Sequence, residues 1–308
     1  MLSRVIFPTP NPLFITIMSM TSLSFSFLGL FEGLGKNFKY SKFSNFNVEK
    51  STSKPNNTVC SRDGMLVVYI PAFLSAVAFP GLFPNVGLRF LLVKSALTIH
   101  FFKRILEDLS LKNIKSLRRR GKERSVMAIV SILSRVAFPP PVTCLLVRVM
   151  SVVLFVHKYS GGMAVDSVII ITLGYFTTTS ITIYALSLTQ GFPEPPVDLK
   201  YPGVVLFLVG IVGNFYHHHL LSSLRTKNDN GYKVPKGGLF GLVTCPHYFF
   251  EILTFLGISF ISQTLYTFAS TISTICYLMG RSYATRRWYL TKFDDFPKDV
   301  KAIIPYVF

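Results

Sequence analysis

The stretch "GVVLFLVGIVGNFYHHHLLSSLR" (residues 203–225) combines an apolar run with three consecutive histidines and, six residues beyond the last of them, Arg225. The run from 203 to 221 is close to the ~20 apolar residues that a helix needs to cross a bilayer. Taken as a helix, it places Asn214, His218 and Arg225 within roughly 40° of one another, on one face. His217 and His219 fall roughly 200° apart. Three adjacent histidines therefore cannot converge on one ion, since helical metal ligands favour i,i+4 spacing. No metal is expected here; His217 and His219 read as helix-end residues at the headgroup level.

The rest of the chain has the same apolar character. Of its 308 residues 50% are hydrophobic, 29 are Phe and only 15% are charged, where a soluble domain carries about a quarter. The composition points to an all-α integral membrane protein. Seven stretches have suitable length, near 13–30, 65–83, 86–102, 163–188, 203–221, 248–263 and 264–280. The first is expected to be a retained span, because its apolar core is long and no small-residue cleavage site follows.

A net charge of +18 does not imply a nucleic-acid partner, because the basic residues lie between apolar runs and form no stripe on a polar domain. They accumulate in alternate connections: Lys36, Lys39, Lys42, Lys50, Lys54 and Arg62, then "RRRGKER" (118–124), then 225–236 and the tail from Arg281. The connection "GFPEPPVDLKYP" (191–202) holds Glu194 and Asp198 against Lys200. The positive-inside rule then puts the C-terminus in the cytosol and the N-terminus in the lumen. Residues 126–156 form two short apolar pieces split by "PPP", and suit a re-entrant or interfacial hairpin. Cys60, Cys144, Cys245 and Cys276 have no C-x-x-C spacing, so neither a disulfide framework nor a zinc site is indicated.

Several motifs in one order carry a resemblance: "GNFYHHHLLSSLR" (213–225), "YKVPKGGLF" (232–240), "CPHYFFE" (245–251) and the tail "RSYATRRWYLTKFDDFPKDVKAIIPYVF" (281–308). From about Tyr201 onward the chain resembles the steroid 5α-reductase family, which also includes very-long-chain enoyl-CoA reductases and polyprenol reductases. "IHFFKRILE" (99–107) resembles the enoyl-CoA reductase branch more faintly. In that branch this element runs almost directly into a sequence like "LFVHKYSGGM", which here comes only at 154–163. Residues from about 108 to 151 therefore read as an insertion. The organisation expected is an N-terminal transmembrane region over 1–200 and a C-terminal cofactor-binding region over 201–308.

The resemblance implies a bundle of about seven transmembrane helices in the endoplasmic reticulum membrane. It would hold NADPH in a cavity open to the cytosol and reduce a carbon–carbon double bond conjugated to a carbonyl. No G-x-G-x-x-G motif follows a strand–helix pattern, so a Rossmann route to that cofactor is not supported. The resemblance assigns Asn214, His218, Arg225, Tyr232, His247, Arg281 and Tyr289 to cofactor contacts. At the His218 position some relatives carry an acid, and Thr285 stands where some steroid reductases have a histidine. Arg225 suits a phosphate through its planar fork.

Glu251 is a functional candidate in its own right, since a carboxylate inside an apolar helix is costly unless paired. It follows His247 by four residues. Tyr248 is the candidate proton donor; an interfacial aromatic anchor is the alternative reading of that residue. His100 is the candidate donor to the substrate carbonyl, with interior packing as its alternative. The second span, "MLVVYIPAFLSAVAFP", contains no acid, a departure from the steroid reductases. The expected partners are membrane lipids and a lipid substrate, a 4-ene-3-oxo steroid or a trans-2-enoyl-CoA. An inactive family member and a transporter are the readings from other classes.

Overall fold

The computed structural model describes residues 2–9, 11–36, 38, 43, 58–78, 87–108, 162–224 and 232–308. Arg225, the expected hairpin over 126–156 and nearly all of the expected insertion lie outside the described residues.

The described residues are mostly helical: α1 (Pro12–Ser24), α2 (Ser26–Gly33), α3 (Ser61–Ala78), α4 (Leu88–Asp108), α5 (Val165–Ser187), α6 (Lys200–Ser223), α7 (Pro246–Ser262) and α8 (Leu265–Lys292). Two short antiparallel strands, β1 (Thr58–Cys60) and β2 (Gly162–Ala164), pair Val59 with Met163. Each of the seven expected spans overlaps helix. Among the described residues four rods are long and apolar enough to cross a membrane: Pro12–Gly33, Ser61–Ala78, Val165–Ser187 and Lys200–Ser223. They turn large apolar side chains outward, including Leu13, Ile17, Ile170, Leu173, Val205 and Val212. That pattern suits a lipid surround.

The chain divides into two compact units. The first comprises Met1–Phe38, Asn85–Val93 and Ile181–Phe308. Its tightest packing is α6 on α7, where small residues let two backbones approach as in membrane bundles. A Cβ on Gly203 would lie 2.8 Å from the Gly257 carbonyl oxygen, and one on Gly257 would lie 2.7 Å from that of Gly203. α2 crosses α8 in the same way, with Gly29 against the Cys276 backbone and Gly280 against the Gly29 backbone. Hydroxyls add polar links between helices: Ser26 meets Ser273 at 3.2 Å, and Ser259 on α7 meets Thr271 on α8 at 2.6 Å.

A second feature of this unit is Arg89, at the start of α4. Its Nη1 donates to the Ile261 carbonyl at 2.6 Å and to Gln263 Oε1 at 2.9 Å. The Nη2 group meets Asp198 at 2.7 Å and also Glu194. Gln263 in turn donates to the carbonyls of Val5 and Val197. The acidic connection expected from the sequence thus closes on a buried arginine, and Lys200 shares both carboxylates.

The second unit, Lys39–Pro84 and Lys94–Ser180, is held by aromatic packing. Tyr69, Phe101 and Tyr175 form a triangle with ring centroids 5.5–6.5 Å apart. Phe73 stacks on Phe102 at 5.4 Å, and Ser75 joins Ser180 at 2.7 Å.

Candidate active site

The site residues of the first unit are presented mainly by α6, α7 and α8. α7 begins at Pro246, two residues before the expected span at 248; the proline occupies its first turn, where a missing N–H costs nothing. The segment before it is fixed by the chain end. The amides of Thr244 and Cys245 donate to the carbonyls of Lys301 and Ala302 at 2.8 and 3.1 Å. Arg286 clamps the same tail through the carbonyls of Val300 and Lys298, both at 2.6 Å. The start of α7 therefore cannot drift without unpairing two groups of donors.

Asn214 and His218, one turn apart on α6, are both buried, and both reach the first turn of α7. Asn214 Nδ2 donates to the His247 carbonyl at 2.7 Å. The His218 ring lies 5.2 Å from the His247 ring, which in turn lies 4.2 Å from Tyr248. Glu251 is buried one turn further along α7. Asn214, His218, His247 and Tyr248 are thus one contact chain, formed by the face that helical phase selects.

His217 departs from its expected place at the headgroup level. It is buried, with Nδ1 2.7 Å from the Gly213 carbonyl and Nε2 accepting the Leu239 amide at 3.1 Å. An accepting Nε2 leaves Nδ1 as the protonated nitrogen, so the ring is held as one neutral tautomer. It stacks on Phe250 at 5.1 Å and meets Phe240 edge-on at 5.6 Å. Gly238 has φ 53°, and a Cβ there would lie 2.7 Å from His217 Nε2. That glycine is needed both for its backbone angle and for this close approach. His217 is the peg that fixes the "PKGG" turn to α6. His219 is exposed. Among the described residues no group of three or more His, Cys, Asp or Glu is arranged to hold a metal ion.

The basic tail from Arg281 is partly interior. α8 runs on to Lys292, and Arg281, Thr285, Trp288 and Tyr289 are buried. Tyr232 meets Trp288 at 4.9 Å, Trp288 meets Tyr289 at 5.1 Å, and Tyr289 stacks on Phe296 at 5.2 Å. Two expected cofactor residues, Tyr232 and Tyr289, therefore flank one tryptophan. Arg281 is engaged by Glu32, a residue that the sequence reading did not single out. The available signal was a lone acid at the end of an apolar rod.

His100 belongs to the second unit. It is buried on α4, with its ring 5.0 Å from that of Phe101. Two turns beyond it Glu107 is fully buried, with Lys103 at 2.9 Å and Arg104 at 3.5 Å. The "HFFKRILE" element is thus an internal charge cluster on its helix.

Comparison with known proteins reaches the C-terminal half. Residues 163–308 match the family model for 3-oxo-5-alpha-steroid 4-dehydrogenase. The chain is 44% identical over 107 residues to a steroid 5-alpha-reductase of Gossypium hirsutum, covering 34% of this chain and 42% of that protein. It is 42% identical over 135 residues to 3-oxo-5-alpha-steroid 4-dehydrogenase 1 of Macaca fascicularis, covering 44% and 50% respectively. Against 3-oxo-5-alpha-steroid 4-dehydrogenase 2 of Homo sapiens the identity is 34% over 112 residues, covering 36% and 44%. The chain thus spans about half the length of the curated relatives it matches.

Proposed function

We propose that this chain is a multi-pass membrane oxidoreductase of the steroid 5α-reductase family, whose model matches residues 163–308, and that it reduces the conjugated double bond of a 4-ene-3-oxo steroid with NADPH. The observation that carries the reading is the contact chain from Asn214 and His218 on α6 to His247 and Tyr248 on α7. It lies within the segment matched to the family.

The residues present fit a dinucleotide phosphate. A buried guanidinium, Arg281, supplies fixed donors for phosphate oxygens. Asn214, His218 and His247 supply polar groups for a ring and ribose, and Tyr232 and Tyr289 supply aromatic cover. Arg225 is the further phosphate candidate. When bound, NADPH supplies a hydride for the β carbon of the enone.

The chain's own residues do the rest. Tyr248 carries a phenol that can give a proton and recover it. Glu251, one turn along the same face, orients the amide end of the cofactor. His100 is the proposed donor to the substrate carbonyl, where charge develops. The apolar helices exclude water from that charge. The proposed topology has seven spans in the endoplasmic reticulum membrane with the C-terminus in the cytosol, and residues 201–308 as the cofactor-binding region.

Microsomes containing the full chain test the reading. With NADPH they are expected to convert a 4-ene-3-oxo steroid to its 5α-dihydro product faster than a trans-2-enoyl-CoA is reduced. Tyr248→Phe and Glu251→Gln are each expected to lower kcat/KM by about a hundredfold or more, the scale of a general acid. Reduction of the enoyl thioester alone would move the assignment to the elongation branch. No reduction of either, with both variants indistinguishable from wild type, would show a non-catalytic protein.

A further inference from the structure

The family match begins at residue 163, yet the first rod, Pro12–Gly33, reaches one of the proposed cofactor residues. Glu32 is the only ionisable residue in that rod. It is 1% exposed, and its partner Arg281 on α8 is 2% exposed. Arg281 Nη1 donates to Glu32 Oε2 at 2.9 Å, to Glu32 Oε1 at 3.1 Å and to the Phe38 carbonyl at 3.2 Å. Glu32 Oε1 also accepts the Phe38 amide at 2.9 Å. Arg281 thus meets a carboxylate and a carbonyl through one nitrogen, and the carboxylate is itself held by the chain that follows α2.

The placement follows from the helix crossing. Gly29 and Gly280 let the backbones of α2 and α8 touch, since a Cβ on either would run into the other helix. Glu32 lies one turn beyond Gly29, and Arg281 immediately follows Gly280. A buried ion pair contributes little net stability, because desolvation offsets the attraction. It does fix the geometry of a long, flexible side chain.

We propose that Glu32 is a positioning residue for cofactor binding, acting through Arg281. It neutralises the guanidinium within the apolar bundle and holds one end of it, so that the group is oriented before a phosphate oxygen arrives. The proposal rests on the reading of Arg281 as a cofactor contact given under Proposed function. It assigns the N-terminal rod, outside the matched segment, a part in the site.

The test is NADPH binding to the purified full chain in nanodiscs, read by nicotinamide fluorescence and paired with steroid-reduction kinetics. Glu32→Gln is expected to weaken NADPH binding by about tenfold or more, the scale on which outer-shell partners tune a bound group. The steroid KM, and kcat at saturating NADPH, should stay within about twofold of wild type, because uniform binding is what is lost. Glu32→Asp, which keeps the charge but withdraws it by one methylene, should bind NADPH with intermediate affinity. In an Arg281→Gln background, Glu32→Gln should cause no further loss of NADPH affinity, since the two act as a unit.

Wild-type NADPH affinity in Glu32→Gln, additive losses in the double variant, or equal losses for NADPH and steroid would each overturn the proposal. Should Glu32→Gln not accumulate as folded protein, Glu32→Asp decides alone: weakened NADPH binding supports the role and wild-type binding overturns it. A wild-type chain that neither binds NADPH nor reduces the steroid would instead overturn the proposed function, and this inference with it.

Discussion

Two arginines of the first unit are almost equally buried, Arg89 at 6% and Arg281 at 2% exposure, but their partners differ. Arg89 has two carboxylates, a backbone carbonyl and the Gln263 amide oxygen, and it lies over the Phe7 ring at 5.2 Å. Both of its acids keep contact with water, Glu194 at 53% and Asp198 at 36% exposure. Arg281 meets Glu32, an acid that is itself 1% exposed. The first cluster can lose a member and refill the gap with solvent. In the second both partners are shut off from water, so removal of either leaves the other charge deep in the interior.

The largest expected effect follows directly. Glu32→Ala should destabilise the folded chain by about 3–5 kcal/mol, the usual consequence of breaking a buried pair from one side. Thermal unfolding in nanodiscs measures it, and a loss no larger than that of Glu194→Ala would break the contrast. Arg89→Gln comes next, at about 1.5–3 kcal/mol for hydrogen bonds to a charged group. Gly280→Ala should cost about 1–3 kcal/mol by forcing α2 and α8 apart, whereas Gly174→Ala, with nothing within 4 Å of the new Cβ, should be tolerated. A similar loss at both glycines would mean that the α2–α8 crossing is not the tight one.

The smallest effect is set by pH. Burial alone would raise the Asp198 pKa, but the Lys200 amide and the Arg89 and Lys200 side chains outweigh it and lower the value below 3.8. A depressed carboxylate pKa gives stability that is present above the unfolded value and lost as pH falls through the folded one. The difference between wild type and Asp198→Asn should therefore hold at neutral pH and vanish in acid below about pH 4. Its size should stay under about 1 kcal/mol for so exposed a group. A difference that grows on acidification would contradict the sign.

Much of the architecture was legible in the sequence, because an apolar run of the right length becomes a helix whatever surrounds it. The pairing of Asn214 with His218 followed from helical phase, and the contact that both make with His247 agrees with it. His217 was misplaced because its neighbours on the helix gave no hint of its partner, the Leu239 amide, 22 residues away. The continuation of α8 to Lys292 was missed for a related reason. "RSYATRRWYLTK" is polar by composition, and only the packing of Thr285 and Trp288 shows that one side of it is interior.

Glu32 marks the boundary between the two kinds of information. By itself the sequence determined that this acid lies at the end of an apolar rod, an expensive position that calls for a partner. It could not determine that the partner is Arg281, 249 residues further on. Helix and span are properties of neighbouring residues, whereas burial and charge pairing depend on which backbones touch. Here that was decided by two glycines, Gly29 and Gly280, which meet only in the folded chain.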